Sequence, residues 1–295
     1  VWYHASAMQP LLNLCKTADI TEKSGIHISK NIANRTVWDT FAIEHPDHPA
    51  ISPTDEAIDA SKSITQINHI KQYVTDSTVL LDYGCGYGRV AQYLLPKVTL
   101  TGYIGLDSSY ELLKLFRERY DKSETEQTTP LLLLNADTNS PPLNNNSVDV
   151  AVVAVVFRHN HKSVVKQSVA ELARVVQPGG TVLVYSAFPR MVSLMGIQGQ
   201  LYQIILNLLG RPFKNGPVRY YTQGEIKRLF RDFSSVELVP VGYNVLPHSI
   251  IILPRPLQVV WRKVIANPAN TLLERLTPTP LRRYFATHID VIAKR

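Results

Sequence analysis

The sequence predicts an α/β fold: a doubly wound, mostly parallel sheet with helical cap insertions. Three observations carry this. Short apolar runs at Val79–Leu81, Thr101–Leu106, Leu131–Leu134, Val148–Val156 and Thr181–Ser186 alternate with stretches of helical periodicity, the pattern of strand–helix–strand units. The run from Val148 to Val156 is continuous and β-branched, as expected of a strand buried on both faces. The first of these strands leads through Asp82-Tyr83-Gly84-Cys85-Gly86-Tyr87-Gly88 into Val90, Ala91, Leu94 and Leu95 at helical spacing, stopped by Pro96. That is strand, glycine turn, helix.

The elements follow in order. Residues 1–53 are a lead-in and cap that mix aromatics with polar residues and the cluster His45-Pro46-Asp47-His48-Pro49. His45 and His48 lack the partners of a metal site, so the cluster is read as a loop. Pro53-Thr54-Asp55-Glu56 reads as a helix start, with Ile58, Ile64, Ile67 and Ile70 forming its apolar stripe. This opens a core at 54–188. Leu112, Leu113, Leu115 and Phe116 mark the helix after the second strand, and 121–130 is a polar loop. Val164–Val176 is the helix after the fourth strand, and Pro178-Gly179-Gly180 turns the chain into the fifth. A helical cap insertion at 189–233 carries Leu194, Ile197, Leu201, Ile204 and Leu208 at three- and four-residue steps, then a helix at 223–230. Strands at 236–241 and 288–293, with a basic helical insertion between them, fill 234–295.

Composition narrows the function. At 295 residues the chain can bury one large core. No apolar run is long enough to span a bilayer, and no signal peptide is visible. Two cysteines, Cys15 and Cys85, leave a reducing cytoplasmic setting as the expectation. From Pro189 onward fifteen Lys and Arg face five Asp and Glu. That excess suits an anionic substrate, an acidic membrane surface or nucleic acid, or is a solvated basic face.

The glycine turn carries the chemistry. Glycines there allow positive φ and clear space for a ligand. The spacing G-x-G-x-G departs from the dinucleotide fingerprint. Asp82 before the first glycine would repel a pyrophosphate and attract a cation, such as the ammonium of an amino-acid-bearing cofactor. Asp107 ends the second strand, where a carboxylate can accept from both ribose hydroxyls.

The run Asp82 to Gly88 resembles the first motif of class I S-adenosylmethionine (SAM) methyltransferases. Gly105-Leu106-Asp107-Ser108 resembles the second. Ala173-Arg174-Val175-Val176-Gln177-Pro178-Gly179-Gly180 resembles the stretch before the family's fifth strand. Over about 75–190 the chain is similar to the type 11 branch. The resemblance implies seven strands, the last antiparallel, and S-adenosylmethionine as cofactor. It implies cofactor contacts from Asp82, Tyr83, Gly84, Cys85, Gly86, Gly88, Asp107 and Ser108. In Asn135-Ala136-Asp137 it implies that the acid accepts from the adenine amino group, with the Ala136 backbone near the ring. Ala154 and Val155 would back the sulfonium, Asp149 would be structural, and Arg35–Ala42 would cover the cofactor.

Phe157-Arg158-His159-Asn160-His161 follows the fourth strand. His159 matches a histidine found there in the branch, and is either a general base or a helix-start or packing histidine. His161 is expected at the surface. Tyr220 and Tyr221 either line the substrate mouth or pack. No Asn/Asp-Pro-Pro-Tyr follows the fourth strand, so nucleic acid is not the expected partner. The expectation is methyl transfer to a small-molecule acceptor, at oxygen, with an anionic group suited to the basic C-terminal part. The rival readings are a membrane-associated C-methyltransferase acting on a lipid or quinone, and a non-catalytic SAM-binding partner protein. No metal is expected.

Overall fold

The computed structural model describes residues 9–30, 32, 37–44, 64–122, 128–191, 193–210, 218–243, 245–246, 254–278, 281 and 285–295. The strands are β1 (Ile20–Lys23), β2 (Ile26–Ser29), β3 (Val79–Tyr83), β4 (Gly102–Asp107), β5 (Leu131–Asn135), β6 (Val148–Ala154), β7 (Val176–Pro189), β8 (Ser235–Tyr243) and β9 (Ala286–Lys294). They form one sheet in the order β1-β2-β5-β4-β3-β6-β7-β9-β8. β2 through β7 pair in parallel, and β9 runs antiparallel to both β7 and β8.

Seven of these strands are those expected, with the last antiparallel to its neighbours. The other two form a hairpin from the N-terminal lead-in, β1 with β2, laid on the outer side of β5. Periodicity could not find them. Each has four residues, and β2 (Ile-His-Ile-Ser) is buried throughout or nearly so only because β5 lies beside it. The expected fifth strand also begins earlier. Val176 already pairs with Val148, and the ladder shifts register before Val150 pairs with Thr181, so Pro178-Gly179-Gly180 is a bulge within β7, with Gly179 at φ +82°.

The helices are α1 (Val37–Glu44), α2 (64–70), α3 (Arg89–Leu94), α4 (Tyr110–Asp121), α5 (Lys162–Val175), α6 (Leu194–Leu208), α7 (Gln223–Leu229), α8 (Arg255–Val260) and α9 (Asn267–Leu276). A π-helical turn, Trp261–Ala266, joins the last two. The helix start expected at Pro53–Glu56, Ile58, and the His45/His48 cluster lie outside the described residues. Downstream, Ile67 and Ile70 are buried while Ile64 is exposed.

Alternation along each strand splits the core between the sheet faces. Leu80, Tyr103, Leu131, Leu133, Val150, Val152 and Leu183 face one way, against Ile67, Ile70, Ala91, Leu94, Leu113 and Phe116 of α2, α3 and α4. Leu81, Tyr83, Ile104, Leu106, Leu132, Ala151 and Val153 face the other, against Val165, Val169 and Leu172 of α5 and Ile226 of α7. Asp149 pins the bulged region: one carboxylate oxygen accepts from the Val79 N–H at 2.6 Å and the other from Gln177 Nε2. Its structural role follows from those bonds.

Candidate active site

The carboxyl ends of β3, β4 and β6 meet the expected motifs. The glycine turn is tied to β4: Gly84 and Cys85 N–H groups donate to the Leu106 carbonyl at 2.7 and 3.0 Å. Gly84, Gly86 and Gly88 all have positive φ. A Cβ on Gly84 would stand 2.4 Å from Val156 Cγ2, and one on Gly88 2.4 Å from Phe116 Cδ2. At Gly86 the nearest atom would be Leu112 Cδ1 at 4.0 Å. Gly84 and Gly88 are thus held by packing. Gly86 keeps open the space in front of the turn, where a methyl group would intrude on a ligand.

Asp107 sits beside that space. One oxygen accepts from the Gly86 N–H at 2.8 Å and the other from the Ser109 N–H at 2.8 Å. A carboxylate offers about four lone-pair sites, so both oxygens retain acceptor capacity for a diol. Burial pushes its pKa up to about 6, against the pull of these backbone N–H groups. Ser108, next in the chain, is half-buried.

Asp82 is almost fully buried and accepts from Tyr103 Oη at 2.5 Å. Burial pushes its pKa up to about 7, opposed by the Tyr103 bond and the positive field of Arg89. It therefore lies beneath the turn and reaches a cation through its field more readily than by an exposed oxygen. Tyr83, expected among the cofactor contacts, offers the turn its main chain and not its side chain. Its ring is in the core, with Oη toward the Ser168 carbonyl at 3.4 Å, so only its main chain borders the turn. Cys85 is buried, and burial raises its thiol pKa well above the usual range. Both cysteines are free.

Asn135 Nδ2 and the Ala136 N–H both donate to the Asp107 carbonyl, at 3.1 and 3.0 Å. The Ala136 N–H is thus committed to β4 and is not free to donate to an adenine ring. Asp137 is half-buried at the same edge. Ala154 closes β6 half-buried, and Val155 follows at φ +69°. A β-branched residue in that region is strained. The bend turns Val156 back onto Gly84 and sends the chain into the short turn Phe157–His159.

His159 stands in that turn. Its Nδ1 is sealed from solvent without a hydrogen-bond partner, and Trp38 of α1 meets its ring edge-on at 5.7 Å. Burial first, then the neighbouring Arg158, lower its pKa to about 4. The helix-start role belongs to His161, which is exposed and accepts from the Ser163 N–H at 3.3 Å.

Two features of this site were not legible in the sequence. The first is Asp39, whose Oδ1 accepts from Ser109 Oγ at 2.7 Å and the Glu111 N–H at 3.1 Å. With Trp38 at His159, helix α1 thereby spans from the start of α4 to the end of β6. A cleft beneath it is lined by Ile32, Asp39, Ile43, Ser108, Glu111 and Asn135. The aromatic cover expected at Arg35–Ala42 falls here in its described part. The second is a contact pairing His69 Nδ1 with Tyr185 Oη at 2.6 Å. It joins α2 to β7 where that strand pairs with Ala154 at the end of β6. No local signal marks either, since both partners are distant in sequence.

The methyltransferase domain family matches residues 81–184 of this chain. The rRNA N(6)-adenosine-methyltransferase metl-5 of Caenorhabditis elegans is 24% identical over 150 residues, covering 50% of this chain and 70% of that protein. The putative methyltransferase in complex with the Haloferax volcanii Trm112 methyltransferase activator has a TM-score of 0.55 at 16% identity, over 89% of this chain and 99% of that one. The YcgJ protein of Bacillus subtilis has a TM-score of 0.52 at 18% identity, over 80% and 99%. A SAM-dependent methyltransferase of Methanosarcina mazei has 0.50 at 14%, over 77% and 96%. These structures share the fold, and the family match spans the glycine turn, Asp107 and the end of β6. The family match thus places a methyltransferase domain of the type 11 family at residues 81–184, on the fold that these structures share.

Proposed function

We propose that this enzyme methylates an oxygen of a small-molecule acceptor bound at the end of β6, with His159 as the proton acceptor. The observation that carries this is the His159 ring: buried, unpartnered at Nδ1, and placed between Trp38 and the β6 bend. S-adenosylmethionine supplies a methyl group already activated by its sulfonium. Gly86, Asp107 and Asp137 line the space that would hold the cofactor, with Asp82 contributing negative field from below. What remains for the protein is to aim the acceptor and hold its proton. Burial and Arg158 lower the His159 pKa to about 4, so the ring is neutral and can accept a proton, but it is a weak base until a bound group offsets the Arg158 charge.

The metl-5 relative acts on rRNA. In this chain Ala154-Val155-Val156-Phe157 ends β6, with no Asn/Asp-Pro-Pro-Tyr to grip a base amino group, which supports an acceptor of another kind. The test is His159→Asn. Turnover with an oxygen acceptor should fall about 10²–10⁴-fold while S-adenosylhomocysteine binds as in the wild type. Unchanged turnover would remove His159 from the reaction.

A second reading, an acceptor drawn from an anionic membrane, has its own observation. Leu201, Ile204 and Leu208 of α6 are exposed, Leu208 by 82%. So are Leu257, Val260, Val264, Leu272 and Leu276 across α8 and α9, Val264 by 66% and Leu276 by 70%. Exposed Arg262, Lys263 and Arg275 share the second arm. Apolar residues with basic neighbours suit an anionic bilayer surface. Among the described residues no helix is long and apolar enough to cross a membrane. Vesicles with phosphatidylglycerol should co-sediment the protein, and Leu208→Glu with Val264→Glu should abolish this. Equal sedimentation of the variant would end this reading.

A further inference from the structure

The end of β6 holds more unsatisfied polarity than proton transfer needs. Arg158 Nε, next to His159, is sealed from solvent with no hydrogen-bond partner; so are Arg219 Nε and Tyr221 Oη on the segment whose main chain meets that turn. Both arginines are half-buried, and among the described residues neither forms an ion pair. The nearby carboxylate of Glu225 is engaged by Lys162 Nζ at 2.6 Å and by Thr222. Burial lowers the pKa of Arg158, offset in part by the neighbouring Tyr220 hydroxyl.

The two arginines are brought together deliberately by the fold. Arg158 lies in the turn after β6, and Arg219 lies on the segment that returns from the α6 cap. The Arg219 N–H donates to the Arg158 carbonyl at 2.9 Å. That segment is fixed on both sides: Gln203 Nε2 of α6 donates to the Val218 carbonyl at 3.2 Å, and the Tyr221 N–H donates to the Pro189 carbonyl at 2.9 Å. A buried donor without a partner costs about 1–3 kcal/mol, more when charged. Each sealed Nε–H carries such a cost, and among the described residues no carboxylate pairs with either arginine to offset it. A planar fork matches carboxylate and phosphate oxygens in two-point geometry.

We propose that Arg158 and Arg219 form the subsite for a phosphate or carboxylate group of the methyl acceptor. This rests on the reading that the acceptor binds at the end of β6, and it names what that acceptor carries. The bound anion supplies the missing acceptors to both Nε–H groups. It also offsets the Arg158 charge beside His159, so the imidazole becomes a stronger base when the acceptor is present. An acceptor lacking the anion would meet a weaker base and a poorer fit.

The test titrates phenyl phosphate and benzoate into the full chain saturated with S-adenosylhomocysteine. In the wild type, either ligand should move Arg Nε–H resonances, a readout that needs no variant. Arg158→Gln and Arg219→Gln should each weaken binding ten-fold or more. Lys227→Gln, an exposed charge on α7, should change it less than two-fold. Vesicles containing phosphatidic acid form a second arm. Binding that needs Arg158 there, and not with phenyl phosphate, assigns the phosphate to a lipid headgroup; the reverse assigns a soluble acceptor. Either outcome supports the subsite. It is overturned if no Arg Nε–H resonance moves with any of these probes, or if both arginine variants bind as tightly as Lys227→Gln. Normal S-adenosylhomocysteine affinity in the variants shows that they fold. Intact anion binding without oxygen methylation would sink the oxygen-acceptor reading alone.

Discussion

At the residue scale the site is defined by charges held away from water. Asp82 and Asp107 have pKa values raised to about 7 and about 6, chiefly by burial. A carboxyl with a folded pKa above its unfolded value favours the fold while it is protonated. That contribution is complete below about pH 4, the ordinary carboxyl range, and is lost as pH rises through the folded value. Ligand binding runs the other way, because a cation and a diol both prefer the ionised forms. Affinity for S-adenosylhomocysteine should therefore rise between pH 5 and pH 8, which titration calorimetry at several pH values would read. Asp82→Asn keeps the shape and the acceptor for Tyr103 Oη, and removes the buried charge. It should be more stable than the wild type at pH 8.5, by on the order of 1–3 kcal/mol, with the gap closing toward pH 5. The same variant should bind S-adenosylhomocysteine more weakly. Melting curves that coincide at every pH would contradict the assignment of a buried charge there. Asp82 and Asp107 were legible because each directly follows a short apolar run, near the carboxyl end of its strand, a position that needs no tertiary knowledge. Arg219 was visible only as one of many basic residues. Its meaning depends on lying beside Arg158, and nothing local encodes that meeting.

At the element scale, the strands buried on both faces were the readable part. β3, β4, β5 and β6 are continuous apolar runs, and their alternation into two clusters follows from period two alone. The helical insertion between β8 and β9 was less readable. Most of its apolar residues are exposed, and one buried polar side chain ties the arm to the segment after β8. Asn270 is buried, its Oδ1 accepting from the Val245 and Leu246 N–H groups at 2.9 and 2.8 Å while its Nδ2 donates to the Leu246 carbonyl at 2.9 Å. Asn270→Leu preserves volume and leaves those backbone groups unsatisfied, at about 1–3 kcal/mol for each buried one. Limited proteolysis should then cut within 254–278 at least ten-fold faster. S-adenosylhomocysteine affinity should not change, because the arm is separate from the glycine turn. Wild-type cleavage rates would show that Asn270 does not hold the arm. The break into a π-helical turn at Trp261–Ala266 had no sequence marker.

At the scale of the whole molecule, in the parallel part of the sheet β3 to β4, β4 to β5 and β6 to β7 are joined through helices, and right-handed crossovers on a twisted sheet leave few arrangements. The added hairpin has a consequence for how the molecule meets its own kind. Without it, β5, with four consecutive leucines, would be a sheet border. With it, the border is β1, a four-residue strand carrying exposed Glu22 and Lys23. The opposite border is β8, which carries Pro240, a residue with no N–H to offer. Short length, charge and proline are the means by which natural sheets refuse to template a neighbour. Glu22→Val with Lys23→Val should convert a monodisperse protein into one that forms concentration-dependent aggregates by light scattering, and unchanged scattering would show the border is protected by other means. The lead-in thus acts as a selvedge: a finished margin that keeps a leucine-rich weave from fraying into fibres.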